Sequence, residues 1–142
     1  MVNNESLIDI SQIDTDELVI DHDSLYEILN HGGRFRMIDG IVHHDAEQGI
    51  AVGYKEIRST DWWASDHIPG RPIFPGVLMV EAGAQLCSWE FSTRGIGVGD
   101  KFFGFGGLNR TRFRRMVEPE TRLWVVCKVH RARRTMFSYY IE

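Results

Sequence analysis

Cysteine, proline and long apolar runs are all scarce in this sequence, and each scarcity removes a class of protein. The two cysteines, Cys87 and Cys127, stand 40 positions apart without metal-ligand spacing. They encode neither a disulfide framework nor a zinc module, and both read as reduced packing residues on different buried elements. No run approaches the ~18 to 20 apolar residues that a membrane-spanning helix needs. The first 30 residues carry eight acids and no Lys or Arg, the reverse of a secretory or mitochondrial leader, so a cytoplasmic address is expected. Of only four prolines, Pro69, Pro72 and Pro75 share one seven-residue window. Each fixes φ and removes a backbone donor, which makes that window a rigid loop.

What is present suffices for one domain. The 142 residues are 43% hydrophobic and 11% aromatic, enough to bury a core. A formal net charge of −4 argues against a generic binder of nucleic acid or anionic membrane, and no nucleic-acid motif accompanies the basic residues. The average conceals a split. Residues 110–134 hold nine basic groups and two acids, while the rest of the chain holds seven and eighteen. An acidic partner would therefore approach the C-terminal third.

Residues 1–22 form an acidic arm with weak apolar spacing, and residues 23–142 read as the folded domain. From a cap at Asp23 or Ser24, the residues Leu25, Ile28 and Leu29 share one face of a short helix. Residues 34–42 and 49–57 are strand candidates joined by a polar connection at 43–49. Within that connection His43, His44 and Asp45 get little weight as a metal site, because adjacent residues there point apart. A Pro-rich loop follows over 59–75. Residues 77–93 are apolar on nearly every side, the mark of a buried helix. Residues 101–115, 122–131 and 134–142 are rich in aromatic and β-branched residues and read as three β segments. The class is α+β, an antiparallel sheet with one long central helix.

The stretch from Asp66 to Gln85 offers three chemical tools. His67 stands at the entrance of the stiff loop, and an imidazole titrating near ~6.5 suits a general base. The free N–H groups of Gly76 and Val77 open the long helix, where its dipole can hold an oxyanion. Glu81 lies one turn inside that apolar helix, and a carboxyl buried without a cationic partner keeps its proton and can act as an acid. A base, an acid and an oxyanion site together suit β-elimination of water. Singly, each has a plainer reading, as a packing histidine, a paired carboxyl or a turn; the conjunction carries the argument.

The block His67-Ile68-Pro69-Gly70-Arg71-Pro72-Ile73-Phe74-Pro75-Gly76-Val77-Leu78-Met79-Val80-Glu81-Ala82-Gly83-Ala84-Gln85 resembles the signature of the hot-dog-fold 3-hydroxyacyl-(acyl-carrier-protein) dehydratases of the FabZ type. Weaker likeness lies in Leu29 to Asp39 and in Phe105 to Arg115, so the resemblance covers residues 25–142. It implies a sheet wrapped around the central helix, His67 and Glu81 as catalytic residues, and the thioester carbonyl on the N–H of Gly76 with Val77 nearby. Gln85 closes the signature and is expected among the substrate-binding residues. Glu rather than Asp at 81 implies dehydration to the trans-2-enoyl thioester without isomerisation, with neither nicotinamide nor metal required.

The resemblance further implies a homodimer with shared sites, open to assembly as a trimer of dimers. Trp62 and Trp63 are candidates for the wall or mouth of an acyl tunnel, with ordinary core packing as the equal alternative. An acidic acyl carrier protein bearing an acyl-phosphopantetheine would meet Arg112, Arg114, Arg115, Arg131, Arg133 and Arg134, unless these form only a solvated face. A thioesterase, a CoA-dependent enoyl hydratase and a silent acyl-binding subunit are the alternative functions. The sequence departs from the family pattern at Asp66, at Asn30, Gly32 and Gly33, and at Glu118-Pro119-Glu120. It stops at Glu142 without the family's closing strand.

Overall fold

The computed structural model describes residues 5–96 and 103–142. Five antiparallel strands lie in the order β1 (Ile20–Asp21), β2 (Gly40–Asp45), β3 (Ile50–Ile57), β4 (Thr121–Arg133) and β5 (Met136–Ile141). Helices α1 (His22–Ile28), α2 (Trp62–Asp66) and α3 (Gly76–Ser92), with short 3-10 turns at Ile10–Gln12 and Gly33–Phe35, complete the described elements. The sheet packs on α3, an α+β arrangement with the helix at its centre, as the hot-dog expectation required.

Asp21, rather than Asp23 or Ser24, caps α1: its carboxylate accepts the Ser24 amide at 2.9 Å. Leu25, Tyr26 and Leu29 are buried, whereas Ile28, expected on the same face, is exposed. The seven-residue helix, which includes Ile28, ends with the Leu29 amide bonded to the Leu25 carbonyl.

The strand expected at 34–42 is displaced. Gly33 takes a positive φ of 54° and opens a 3-10 turn over Gly33–Phe35. The amides of Met37 and Ile38 then bond to the Gln85 and Tyr26 side chains, and the ladder starts only at Gly40. β2 runs on through His43, His44 and Asp45, where the Asp45 carboxylate takes the Gln48 amide at 2.9 Å and closes a tight turn. β3 fills nearly the whole segment that the alternation outlined.

Beyond residues 101 and 102, which lie outside the described residues, the β segment expected at 101–115 is not a strand. Residues 104–116 are exposed and contain Gly104, Gly106 and Gly107. β-propensity yields to context: these glycines weaken a strand, and the segment pairs neither with β4, whose two edges are taken by β3 and β5, nor with the outer edge of β5. The last two segments do form the hairpin of β4 and β5, joined by Arg134 and Thr135.

The main core lies between α3 and the sheet, with Trp63, Phe74, Ile38, Ile57 and Leu86 nearly inaccessible. Cys87 and Cys127 are both free and buried there, and burial pushes the Cys87 thiol up. Gly83 lets β5 close on the helix: a Cβ there would meet Ile141 at 2.9 Å. The opposite sheet face carries a smaller cluster of Val42, Ile50, Val52 and Val126. The N-terminal arm lies over it, packing Leu7, Ile8, Ile10 and Ile13 against that cluster and bonding the Leu7 amide to Glu142 at 2.8 Å. One flank of α3 stays open, where Val77 is 74% exposed and Val80 and Ala84 only half-buried.

Candidate active site

His67 closes α2, its amide bonded to the Trp63 carbonyl at 2.9 Å. Its ring Nδ1 lies 2.8 Å from the Ile73 carbonyl across the proline loop. A carbonyl only accepts, so Nδ1 carries a proton, and in the neutral ring the lone pair is on Nε2. The loop is secured at its far end, where the Phe74 amide donates to the Val117 carbonyl at 2.8 Å and the Phe74 ring packs edge-on against Trp63. Asp66, beside the histidine, accepts from the Ser65 hydroxyl at 2.8 Å and makes no bond to the imidazole.

Helix α3 starts on Pro75, whose carbonyl takes the amides of Leu78 and Met79. No side chain caps the helix, so the N–H groups of Gly76 and Val77 remain without protein acceptors among the described residues. The Phe113 ring rests over this end, 3.0 Å from where a Cβ on Gly76 would stand. A side chain at 76 would displace that ring and cover the amides.

Glu81 is less enclosed than its apolar neighbourhood suggested: its side chain is 27% exposed. Its Oε1 accepts the Gln85 amide at 2.7 Å, and His31 Nε2 lies 3.4 Å from the same oxygen. Oε2 has no hydrogen-bond partner among the described residues. Gln85, expected to touch substrate, is 1% exposed and fully engaged. Its carbonyl accepts the Tyr26 hydroxyl at 2.5 Å and the Met37 amide at 3.1 Å, and its amide donates to the Phe35 carbonyl at 2.6 Å as well as to Glu81. Gln85 therefore buttresses Glu81 instead of facing open space. Burial pushes the Tyr26 phenol up to about 12, so it stays a donor.

No hydrogen bond or ion pair links His67 to Glu81 within the described chain. Trp63 is core, while Trp62 is partly exposed. Both border a cavity of about 300 Å³ that also meets Met37, Arg34, Arg36, Asp39 and Lys55, a mixed lining rather than a purely apolar one. Arg112, Arg114 and Arg115 lie exposed on the irregular segment, and Arg131, Arg133 and Arg134 at the tip of the β4–β5 hairpin. None of the six has an ion-pair partner among the described residues. Of the dismissed metal trio, His44 packs edge-on against Trp89 and Asp45 serves the turn.

Sequence reasoning gave His31, Tyr26 and Phe113 no role. The helical spacing of Glu81 and Gln85, i and i+4, was the one available signal that a partner amide holds the carboxyl. Nothing in the spacing announced the two residues from the α1 region.

Residues 29–142 match the family model described as a FabA-like domain. The chain is 37% identical over 105 residues to the 3-hydroxyacyl-(acyl-carrier-protein) dehydratase FabZ of Desulfotalea psychrophila, covering 73% of this chain and 69% of that protein. It is 36% identical to the FabZ dehydratase of Moorella thermoacetica, covering 70% and 68%. The FabZ dehydratase of Agrobacterium fabrum is 34% identical over 82% of this chain and 74% of its own length. With the long helix, its open N-terminus and the His67 loop set in this order, the chain belongs to the FabA/FabZ family of hot-dog dehydratases.

Proposed function

We propose that the protein dehydrates a 3-hydroxyacyl thioester carried on acyl carrier protein to the trans-2-enoyl thioester, without moving the double bond. The single observation that carries the reading is the His67 ring, whose Nδ1 is spent on the Ile73 carbonyl so that Nε2 is free to act as a base. The thioester carbonyl binds at the open N–H groups of Gly76 and Val77, which acidifies the α-carbon. His67 Nε2 removes the α-proton. Glu81 protonates the departing 3-hydroxyl, and enoyl thioester and water leave. The names of the FabZ relatives supply the carrier.

The unit of activity is a dimer in which His67 of one copy faces Glu81 of the other. Two observations support this: the missing link between the pair within one chain, and the open flank of α3 at Val77, Val80 and Ala84. The exposed Arg112, Arg114, Arg115, Arg131, Arg133 and Arg134 steer the acidic carrier to the site.

The test is conversion of a 3-hydroxyacyl thioester, followed by absorbance of the conjugated product. The wild-type chain forms only the 2-enoyl thioester, and His67→Ala loses most of the rate. Refolding His67→Ala together with Glu81→Gln restores activity, because mixed dimers hold one intact site. Release of free thiol without enoyl product would make the protein a thioesterase, and failure to complement would put both residues in one chain's site.

A further inference from the structure

We infer that His31 is a positioning residue for Glu81, fixing which carboxyl oxygen delivers the proton. The inference rests on the reading of Glu81 as the acid of a dehydratase and concerns a residue to which that reading gives no part. Oε1 faces two nitrogens, Gln85 Nε2 at 2.7 Å and His31 Nε2 at 3.4 Å. Oε2 faces neither. An oxygen that accepts donors is the poorer place for an acid proton, so Oε2 carries it and Oε1 serves as the anchor.

The imidazole is set up to donate. His31 Nδ1 is buried and has no hydrogen-bond partner. A proton on Nδ1 would strand a buried donor, whereas a lone pair there costs less, so in the neutral ring the proton sits on Nε2, towards Glu81. The backbone is held as well: the Arg36 guanidinium donates to the His31 carbonyl at 3.2 Å, and the Tyr26 ring stands edge-on to the imidazole at 6.5 Å. Tyr26 in turn bonds Gln85. The two anchors of Oε1 are thus braced by a common neighbour, and a modest closure would bring the 3.4 Å approach within hydrogen-bond range, as happens when substrate tightens a site.

The experiment compares His31→Leu, His31→Gln, Glu81→Gln and the double variant His31→Leu/Glu81→Gln on 3-hydroxybutyryl thioester, with thermal unfolding of each. His31→Leu is expected to lower kcat by about 10²-fold, the scale of a misplaced catalytic group, with KM close to wild type. His31→Gln, whose amide can reach the same oxygen, recovers most of the loss. The double variant is no slower than Glu81→Gln alone, because His31 acts only through that carboxyl. Nitrogen-15 NMR of the wild-type chain finds the His31 proton on Nε2.

An unaffected kcat in His31→Leu, a double variant slowed by both factors multiplied, or a proton on Nδ1 overturns the inference while leaving the dehydratase reading intact. A wild-type chain inactive on the thioester overturns that reading, and this inference with it.

Discussion

Glu81 and Glu90 stand on the same helix, about two and a half turns apart, and the protein treats them in opposite ways. Glu90 is fully buried, gripped by Arg94 at 2.9 and 2.6 Å and by the Tyr139 hydroxyl, with His44 Nε2 at 3.7 Å. That hydrogen bond raises the Arg94 pKa, and burial followed by the same carboxyl raises that of Tyr139. Glu81 has a neutral amide and an imidazole on one oxygen, nothing on the other, and an opening to solvent. A helix apolar on nearly every side can hide an ionised carboxylate only with a cation and hydrogen bonds around it. On the proposed reading Glu81 gives up a proton each turnover, and weaker partners with an opening to solvent suit that exchange.

The sharpest way to break this contrast is to exchange the consequences of losing each carboxyl's partners. Glu81→Gln is expected to lower kcat by about 10²- to 10⁴-fold while changing unfolding stability by about 0.5 kcal/mol or less, read from steady-state rates and urea unfolding. Arg94→Leu should do the reverse. It leaves Glu90 buried without its cation and costs about 3 kcal/mol of stability, with kcat per folded molecule unchanged.

Gln85→Leu should register on both measurements. It strands the Tyr26 hydroxyl and the Met37 amide at about 1–3 kcal/mol for a buried unsatisfied group, and it frees Glu81, so stability and kcat fall together. A Gln85→Leu chain with normal kcat would separate the buttress from the chemistry.

The smallest effect is alkaline. Tyr26 is held neutral up to about 12 by burial, whereas an unfolded tyrosine ionises near ~10. The unfolded chain therefore sheds its proton first. The contribution of Tyr26 is intact below pH ~10 and is lost as pH rises toward about 12. Urea midpoints measured across that window should decline, and the decline should be shallower in Tyr26→Phe. Tyr139 acts in the same direction.

These two carboxyls also mark how far the sequence could be read. Residues 77–93 announced α3 because Pro75 and Gly76 open it and the apolar run has helical length; the helix lies one residue earlier at each end. The alternation of 49–57 announced β3. The segments at 34–42 and 101–115 misled for different reasons. In the first, side chains of Gln85 and Tyr26 outbid the ladder for the Met37 and Ile38 amides. In the second, Gly104, Gly106 and Gly107 weaken the strand that propensity alone suggested.

The site shows the same division. His67, Gly76 and Glu81 were legible within one contiguous block, whereas His31 and Tyr26 reach that block across 50 and 59 residues respectively. Long-range hydrogen bonds leave no spacing in a single sequence. Composition identified Glu81 as the carboxyl enclosed by apolar residues, yet the fully buried one is Glu90, whose partners Arg94 and Tyr139 come from the turn just past the helix end and from β5.

On the proposed function the partly open carboxyl does the chemistry and the buried one does not. The most direct measurement is the absorbance of enoyl thioester formed from 3-hydroxybutyryl thioester by the wild-type chain, Glu81→Gln and Arg94→Leu under identical conditions, scaled to folded protein. Equal product formation is expected from wild type and Arg94→Leu, and almost none from Glu81→Gln. Wild-type rates in Glu81→Gln would contradict that reading.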